Sequence, residues 1–268
     1  MHVTEVASDL VAEQEALEAV MTELTDEQWG LPTSSDRWSV ADQIGHLAYF
    51  DGTAAQAIVD PDGFAAARDA LISSMGRTPE ETDELSLGIF RTLTSAEMMA
   101  DWQAKRRELA DAAATLKDDT RVEWYGPSMG SKSFLTARLM ECWAHGQHIC
   151  DTVGASRPAT NRLRHIAQIG FITRGWTYMN RGLEIPEDDV RLALAAPDGS
   201  TWTWGPEDAS SSVTGDAEDF CLVVTQCRNV ADTALMVEGE SAIDWLSKAQ
   251  AFAGAPTDGP AAGEATRP

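Results

Sequence analysis

From Thr4 to Leu24 apolar residues recur three and four apart, at Val6, Leu10, Val11, Leu17, Val20, Met21 and Leu24, with acidic residues between them. That spacing predicts an amphipathic helix with one face in a core. A second helix is expected after the loop Pro32 to Arg37. Ser39 stands three residues before Asp42 in a capping-box arrangement, and Val40, Ile44, Leu47, Ala48 and Phe50 follow at helical spacing up to the break Asp60-Pro61-Asp62-Gly63. A shorter apolar stretch, Phe64 to Met75, precedes the polar run Gly76 to Glu84, whose acidic part reads as a solvated loop. Thr94-Ser95-Ala96-Glu97 opens a helix running to about Leu116. Val122 to Lys132, broken by Gly126, Pro127 and Gly130, reads as a loop leading into a helix from Phe134 to Val153 that ends at Gly154. With a further helix over Asn161 to Met179, residues 1–183 are expected to form an antiparallel helical bundle.

The pattern changes near Pro186. Val190, Leu192, Leu194 and Ala196 alternate with other residues, Pro197-Asp198-Gly199 supplies a turn, and Thr201-Trp202-Thr203-Trp204 resumes the alternation, which signals a hairpin. Asp219 to Gln226 then reads as a helix, Thr233 to Val237 as a strand and Ser241 to Phe252 as a last helix. The expected fold is therefore mainly α, a helical bundle over 1–183 followed by a small α/β module over 186–254. Residues 255–268, rich in Pro, Gly and Ala, are expected to be a flexible tail. No internal repeat interrupts this plan.

Charge narrows the partners. The 268 residues carry 43 acidic against 20 basic side chains, a formal charge of −23. Such a surface repels phosphate backbones and anionic headgroups, which are bound through Lys and Arg, so neither nucleic acid nor membrane is an expected partner. No run approaches the roughly 20 consecutive apolar residues of a membrane helix, and the N-terminal segment is acidic where a signal peptide is basic and then apolar. The expected compartment is the cytoplasm. Cys142, Cys150, Cys221 and Cys227 form neither a CxxC pair nor a dense framework and read as reduced, mostly structural thiols.

Chemistry concentrates on the helix from Phe134 to Val153. At about 100° per residue, Arg138, Glu141, His145 and His148, spaced by 3, 4 and 3, project from one face. An ionisable stripe on a core-facing helix is costly unless its members pair with one another or hold a metal. His46, mid-helix in Ile44-Gly45-His46-Leu47-Ala48, is the candidate third ligand from a neighbouring helix. Two imidazoles and a carboxylate make the three-ligand, open-position set of catalytic zinc, and also suit iron or nickel. The spacing alone does not compel a metal. In so acidic a chain a carboxylate four residues before a histidine arises by accident, as Asp42 does before His46, and a hydrogen bond between helices explains each histidine equally well.

Trp38-Ser39-Val40-Ala41-Asp42-Gln43-Ile44-Gly45-His46-Leu47, together with Glu141-x3-His145-Gly146-Gln147, resembles the DinB-like metalloenzyme superfamily, and within it the mycothiol-dependent maleylpyruvate isomerases. The stretches Pro197 to Pro206 and Thr233 to Val237 are similar to the small C-terminal domain of an actinobacterial subgroup of that branch. The resemblance implies a four-helix bundle holding a divalent metal, usually zinc, through His46, Glu141 and His145. It also implies a low-molecular-weight thiol, mycothiol or bacillithiol, bound to that metal as thiolate. Relatives of the subgroup commonly carry Asp where this chain has His148, which makes His148 a fourth ligand, a general acid or base, or a partner of a neighbouring acid. Arg138 is expected either to bind a substrate carboxylate or to neutralise Glu141. Trp38, Trp102, Trp143 and Trp176 are expected in the core, with Trp143 a candidate for the pocket border.

The implied function is a metal-dependent isomerase or S-transferase that uses mycothiol and acts on a small electrophilic molecule, with or without a carboxylate. Two other readings stay open: a metal-dependent lyase, cyclase or hydrolase of secondary metabolism without mycothiol, and a non-catalytic small-molecule binding protein. DinB-like relatives often dimerise, so a homodimer is an expectation of the same kind.

Overall fold

The computed structural model describes residues 2–74 and 78–265. Three of the long helices of the N-terminal half start where a side chain can satisfy their first free N–H groups. His2 and Glu5 close a reciprocal box on α1 (Val3–Met21), Ser39 and Asp42 on α3 (Val40–Val59), and Thr94 and Glu97 on α6 (Ser95–Ala113). A short α2 (Asp26–Trp29) precedes α3 and is boxed by Thr25 and Gln28. The long α7 (Ser131–Val153) stops at Gly154, whose φ of 68° is left-handed and suits glycine. Two further helices were not expected in this form. α4 (Pro61–Ser74) starts directly at the anticipated break. α5 (Pro79–Leu87) replaces the anticipated acidic loop, because Thr78 and Glu81 form a capping box and Pro79 sits in the first turn, where its missing N–H costs nothing. The ends of the two expected segments at Met75 and Gly76 lie outside the described residues.

The four long helices pack against one another, α1 on α6 and α7, and α3 on the same two. Their apolar faces meet in a core that includes Leu17, Met21, Ile44, Leu47, Trp102 and Ile149. A buried carboxylate joins these helices. Asp51 of α3, 1% exposed, accepts hydrogen bonds from Gln14 of α1 at 2.9 Å, Trp102 Nε1 of α6 at 3.3 Å, and Arg138 Nη2 of α7 at 3.2 Å. Each of the other three long helices therefore contributes one partner to this carboxylate of α3. The anticipated loop before α7 carries a two-residue ladder, β1 (Arg121–Val122) with β2 (Met129–Gly130), which pins the hairpin that holds Trp124 and Tyr125.

The chain divides into two compact units between Ser156 and Arg157, not near residue 183. The segment expected as the last bundle helix breaks at Thr173 into α8 (Leu163–Ile172) and α9 (Arg174–Met179). Both lie in the second unit, where α8 packs on α10 (Ala217–Val224). The reason is general: helical spacing shows that a face is buried, not which core buries it. Gly170 lets the two helices approach, since a Cβ there would lie 2.8 Å from Val224 Cγ2.

The expected hairpin is present as β3 (Val190–Ala195) and β4 (Thr201–Trp204), with Leu194 opposite Trp202. It belongs to a four-stranded sheet in the order β4-β3-β5-β6. The strand β5 (Ser211–Asp216) runs parallel to β3, and β6 (Met236–Glu238) antiparallel to β5. The last helix, α11 (Glu240–Leu246), ends earlier than expected. Residues 255–265 of the expected tail are tied to their own unit. Gln226 Nε2 donates to Thr257 O at 2.7 Å, Asn229 Nδ2 to Pro260 O at 2.9 Å, and Gly263 N to Asp232 Oδ2 at 2.8 Å. Polar side chains thus order a segment that has little apolar surface to bury. All four cysteines are buried free thiols. Among the described residues no helix is long and apolar enough to cross a membrane.

Candidate metal centre

The loop before α3 is locked on its own backbone. Thr33 donates twice to the Trp38 carbonyl, from N at 2.8 Å and from Oγ1 at 2.9 Å. Arg37 turns the chain with a φ of 66° and is held by Asp83 at 3.2 Å. This closure lays the Trp38 indole beside the imidazoles, with ring centroids 4.9 Å from His46 and 5.8 Å from His145. Trp38 is therefore a wall of the site and not a core residue.

His46 of α3 and Glu141 and His145 of α7 converge, each offering one ligand atom within 4.8 Å of the others. Glu141 Oε2 lies 3.1 Å from His145 Nε2 and 3.7 Å from His46 Nε2. Donors about 2.1 Å from a common tetrahedral ion stand roughly 3.4 Å apart, so these separations suit one. The side chains are 17%, 22% and 15% exposed for His46, Glu141 and His145, sunk in the protein yet open on one side.

Whether the set fits a cation is decided by Gln43. It is fully buried one turn before His46. Its Nε2 donates to Thr33 Oγ1 at 2.9 Å and to Ser35 Oγ at 3.0 Å. Thr33 Oγ1 gives its own proton to the Trp38 carbonyl and can only accept from Gln43, which fixes the amide and points its Oε1 at His145 Nδ1. His145 must then donate from Nδ1, so the lone pair of its Nε2 faces the Glu141 oxygen. Two electron-rich atoms at that distance require a cation or an extra proton between them. The extra proton is disfavoured. Burial first, then the charge of His46, pushes His145 down to about 4 despite the pull of Glu141. Burial likewise lowers His46, against the opposing effect of Glu141. For Glu141 burial pushes upward, but its neighbours His145, His46 and Arg138 together hold it well below the usual carboxylate range. Two neutral imidazoles and an ionised carboxylate are the donor forms a divalent ion takes.

The remaining sequence-derived residues divide. The Arg138 side chain is 5% exposed and directs Nε and Nη2 at Asp51 Oδ1, 3.3 and 3.2 Å away. Its ion pair is with Asp51 and not with Glu141, to which it contributes its charge alone. Asp42 caps α3 and pairs with Arg91 at 2.7 Å, leaving no role as partner of His46. His148 stands outside the cluster, its ring centroid 6.4 Å from that of His145, with Nδ1 2.8 Å from Ser34 Oγ. Trp102 and Trp143 are buried, as expected of core residues.

Periodicity gave no sign of the aromatic cluster beside the triad. The Phe50 ring lies 4.6 Å from His46 and 5.5 Å from Tyr125, and the Trp124 ring 4.9 Å from Tyr125. Burial, with Tyr49 next in effect, pushes the Tyr125 phenol up, so it stays protonated. Phe50 follows His46 by one helical turn and was legible as a neighbour. Trp124 and Tyr125 sit in a hairpin whose placement no helical pattern encodes.

Comparison with known proteins gives this geometry a context. Residues 10–150 match the family described as Mycothiol maleylpyruvate isomerase N-terminal domain. The chain is 40% identical over 253 residues to an uncharacterized protein of Mycobacterium tuberculosis, found in two strains, covering 94% of this chain and 96% of the relative. Its fold is similar to that of the mycothiol-dependent maleylpyruvate isomerase crystal structure, with a TM-score of 0.57 and 14% identity over 90% of this chain and 96% of that one. A histidine-to-alanine mutant of that isomerase gives 0.55 and 16%, over 83% and 88%. A family match across more than half the chain, over the same residues that carry His46, Glu141 and His145, means that this protein belongs to the mycothiol maleylpyruvate isomerase N-terminal domain family, a DinB-like group.

Proposed function

We propose that this protein is a metal- and thiol-dependent isomerase or S-transferase, in which His46, Glu141 and His145 hold one divalent ion, zinc before iron or nickel, and mycothiol is the co-substrate. The four long helices are read as the antiparallel DinB-like bundle that presents these ligands. The observation that carries the proposal is the lone pair of His145 Nε2 turned on the Glu141 oxygen by the fixed amide of Gln43. When bound, such an ion acts as a Lewis acid that keeps a coordinated thiol deprotonated at neutral pH.

The chain's own side chains supply the rest. Gln43 holds the imidazole in the ligating tautomer, and Trp38 and Phe50 keep water from two sides of the triad. Bound there, a thiolate would supply reversible addition to a double bond conjugated with a carbonyl, the chemistry that lets such a bond rotate before elimination restores it. His148, supported by Ser34, is assigned to proton transfer at the substrate. The small-molecule partners and the four buried cysteines outside any disulfide suit a cytoplasmic enzyme.

Elemental analysis of the purified protein tests this directly, on the native chain and on His46→Ala, Glu141→Ala and His145→Ala. About one equivalent of metal, lost in each variant, is expected. A native chain that stays metal-free after dialysis against zinc, iron and nickel would overturn it. Thiol-dependent turnover that persists in His148→Gln at the native rate would remove that residue from the mechanism.

A further inference from the structure

The aromatic cluster beside the triad suggests what the site accepts. Trp38, Phe50, Trp124 and Tyr125 are all half-buried residues. Phe64 and Phe134, both 1% exposed, back them: Trp124 stacks on Phe64 at 5.6 Å and 6° and meets Phe134 edge-on at 5.1 Å. The rings form one connected surface that starts at His46 and runs away from it through Phe50. Such a surface favours a flat apolar partner.

Anion recognition needs the opposite, a cation or a forked guanidinium aimed at the ligand. Among the described residues, the guanidinium groups lying over this cluster are already paired. Arg138, 5.8 Å from the Phe50 ring, is tied to Asp51. Arg68, 6.0 Å from the Phe64 ring, is tied to Asp69 at 2.9 Å and donates to Trp124 O at 3.3 Å. Nor does the centre itself offer net charge, because Glu141 and a bound thiolate together cancel the charge of a divalent ion. The formal charge of −23 adds a repulsive background for any anion.

We infer that the electrophile handled at this site is uncharged and carries an aromatic or similarly flat apolar group, which lies on Phe50, Trp124 and Tyr125, and that it is not a dicarboxylate. This rests on the reading of the site given above and sets the chain apart from its structural neighbours, whose name specifies maleylpyruvate, a dicarboxylate.

Calorimetric titration of the metal-loaded protein, with excess ethanethiol so that the centre is neutral, compares three probes that cannot add a thiol: 4-phenylbutan-2-one, its para-carboxylate analogue, and succinate. The uncharged ketone is expected to bind at least about tenfold more tightly than either anion. Trp124→Leu and Phe50→Leu are each expected to weaken it roughly 2- to 10-fold, the worth of one lost aromatic contact, with metal content and melting temperature retained. An anion that binds as tightly as the ketone, a ketone that does not bind, or an affinity unchanged in both variants would overturn the inference. Failure of thiol-dependent turnover with this selectivity intact would instead count against the proposed reaction alone.

Discussion

At the scale of single residues the site turns on an amide. Gln43 fixes which nitrogen of His145 carries the proton, because Thr33 and Ser35 hold its Nε2 and leave only Oε1 for the ring. Gln43→Leu removes that acceptor at nearly constant volume. A partner of this kind typically changes metal affinity by 10- to 100-fold, and a loss in that range is expected, read by competition with a chromogenic chelator. Gln43→Glu, which keeps an acceptor for Nδ1–H, should lose less. Equal losses in both would mean that Gln43 only fills space. Its role was not legible in the sequence, where glutamine three residues before a histidine on a helix is an ordinary polar residue. The three clustered residues were legible as candidates through their motif, since Glu141 and His145 are one turn apart and His46 sits in an apolar run. Trp38 was misread because an aromatic next to a capping residue looks like packing until the loop closure is known.

At the scale of elements the four long helices are joined by Asp51 and Arg138. Burial pushes the Asp51 carboxyl above its usual value, and Arg138 opposes this. Removing one member strands the other in the core, so Asp51→Ala is expected to cost about 3–5 kcal/mol by urea unfolding, while the double variant Asp51→Leu/Arg138→Met restores part of that loss. A double variant no more stable than Asp51→Ala would show that the pair is not the unit that matters. Sequence spacing predicted that Arg138 shares a face with Glu141, and it does; but it could not identify the acid on another helix that claims the guanidinium. The same limit explains the misplaced boundary. The run Asn161 to Met179 has helical spacing, and its partner α10 lies far along the chain. β5 was missed altogether because Ser211–Asp216 holds one large apolar residue, Val213, and becomes a strand only through its neighbours β3 and β6.

At the scale of the whole molecule, stability must respond to pH through groups whose affinity for protons changes on folding. In the metal-free protein His145 titrates at about 4 when folded and near 6.5 when unfolded. Between those values the unfolded chain holds a proton that the native state refuses, so the contribution of His145 is fully present above about 6.5 and is lost as pH falls toward 4. His46 is shifted in the same direction. Two effects run the other way: Asp51, raised in the fold, favours the native state as pH falls, and protonating surface carboxylates relieves the repulsion of a chain at −23. The total profile is therefore a sum of opposed slopes, and the histidine share appears only in a difference. Urea unfolding of the metal-free native chain and of His145→Gln, at matched pH from 7 to 4.5, isolates it. The stability of the native chain relative to the variant should decline steadily below pH 6.5. Parallel curves would mean that His145 is not held neutral by its surroundings, and the fit of the triad to a divalent cation would lose its electrostatic basis.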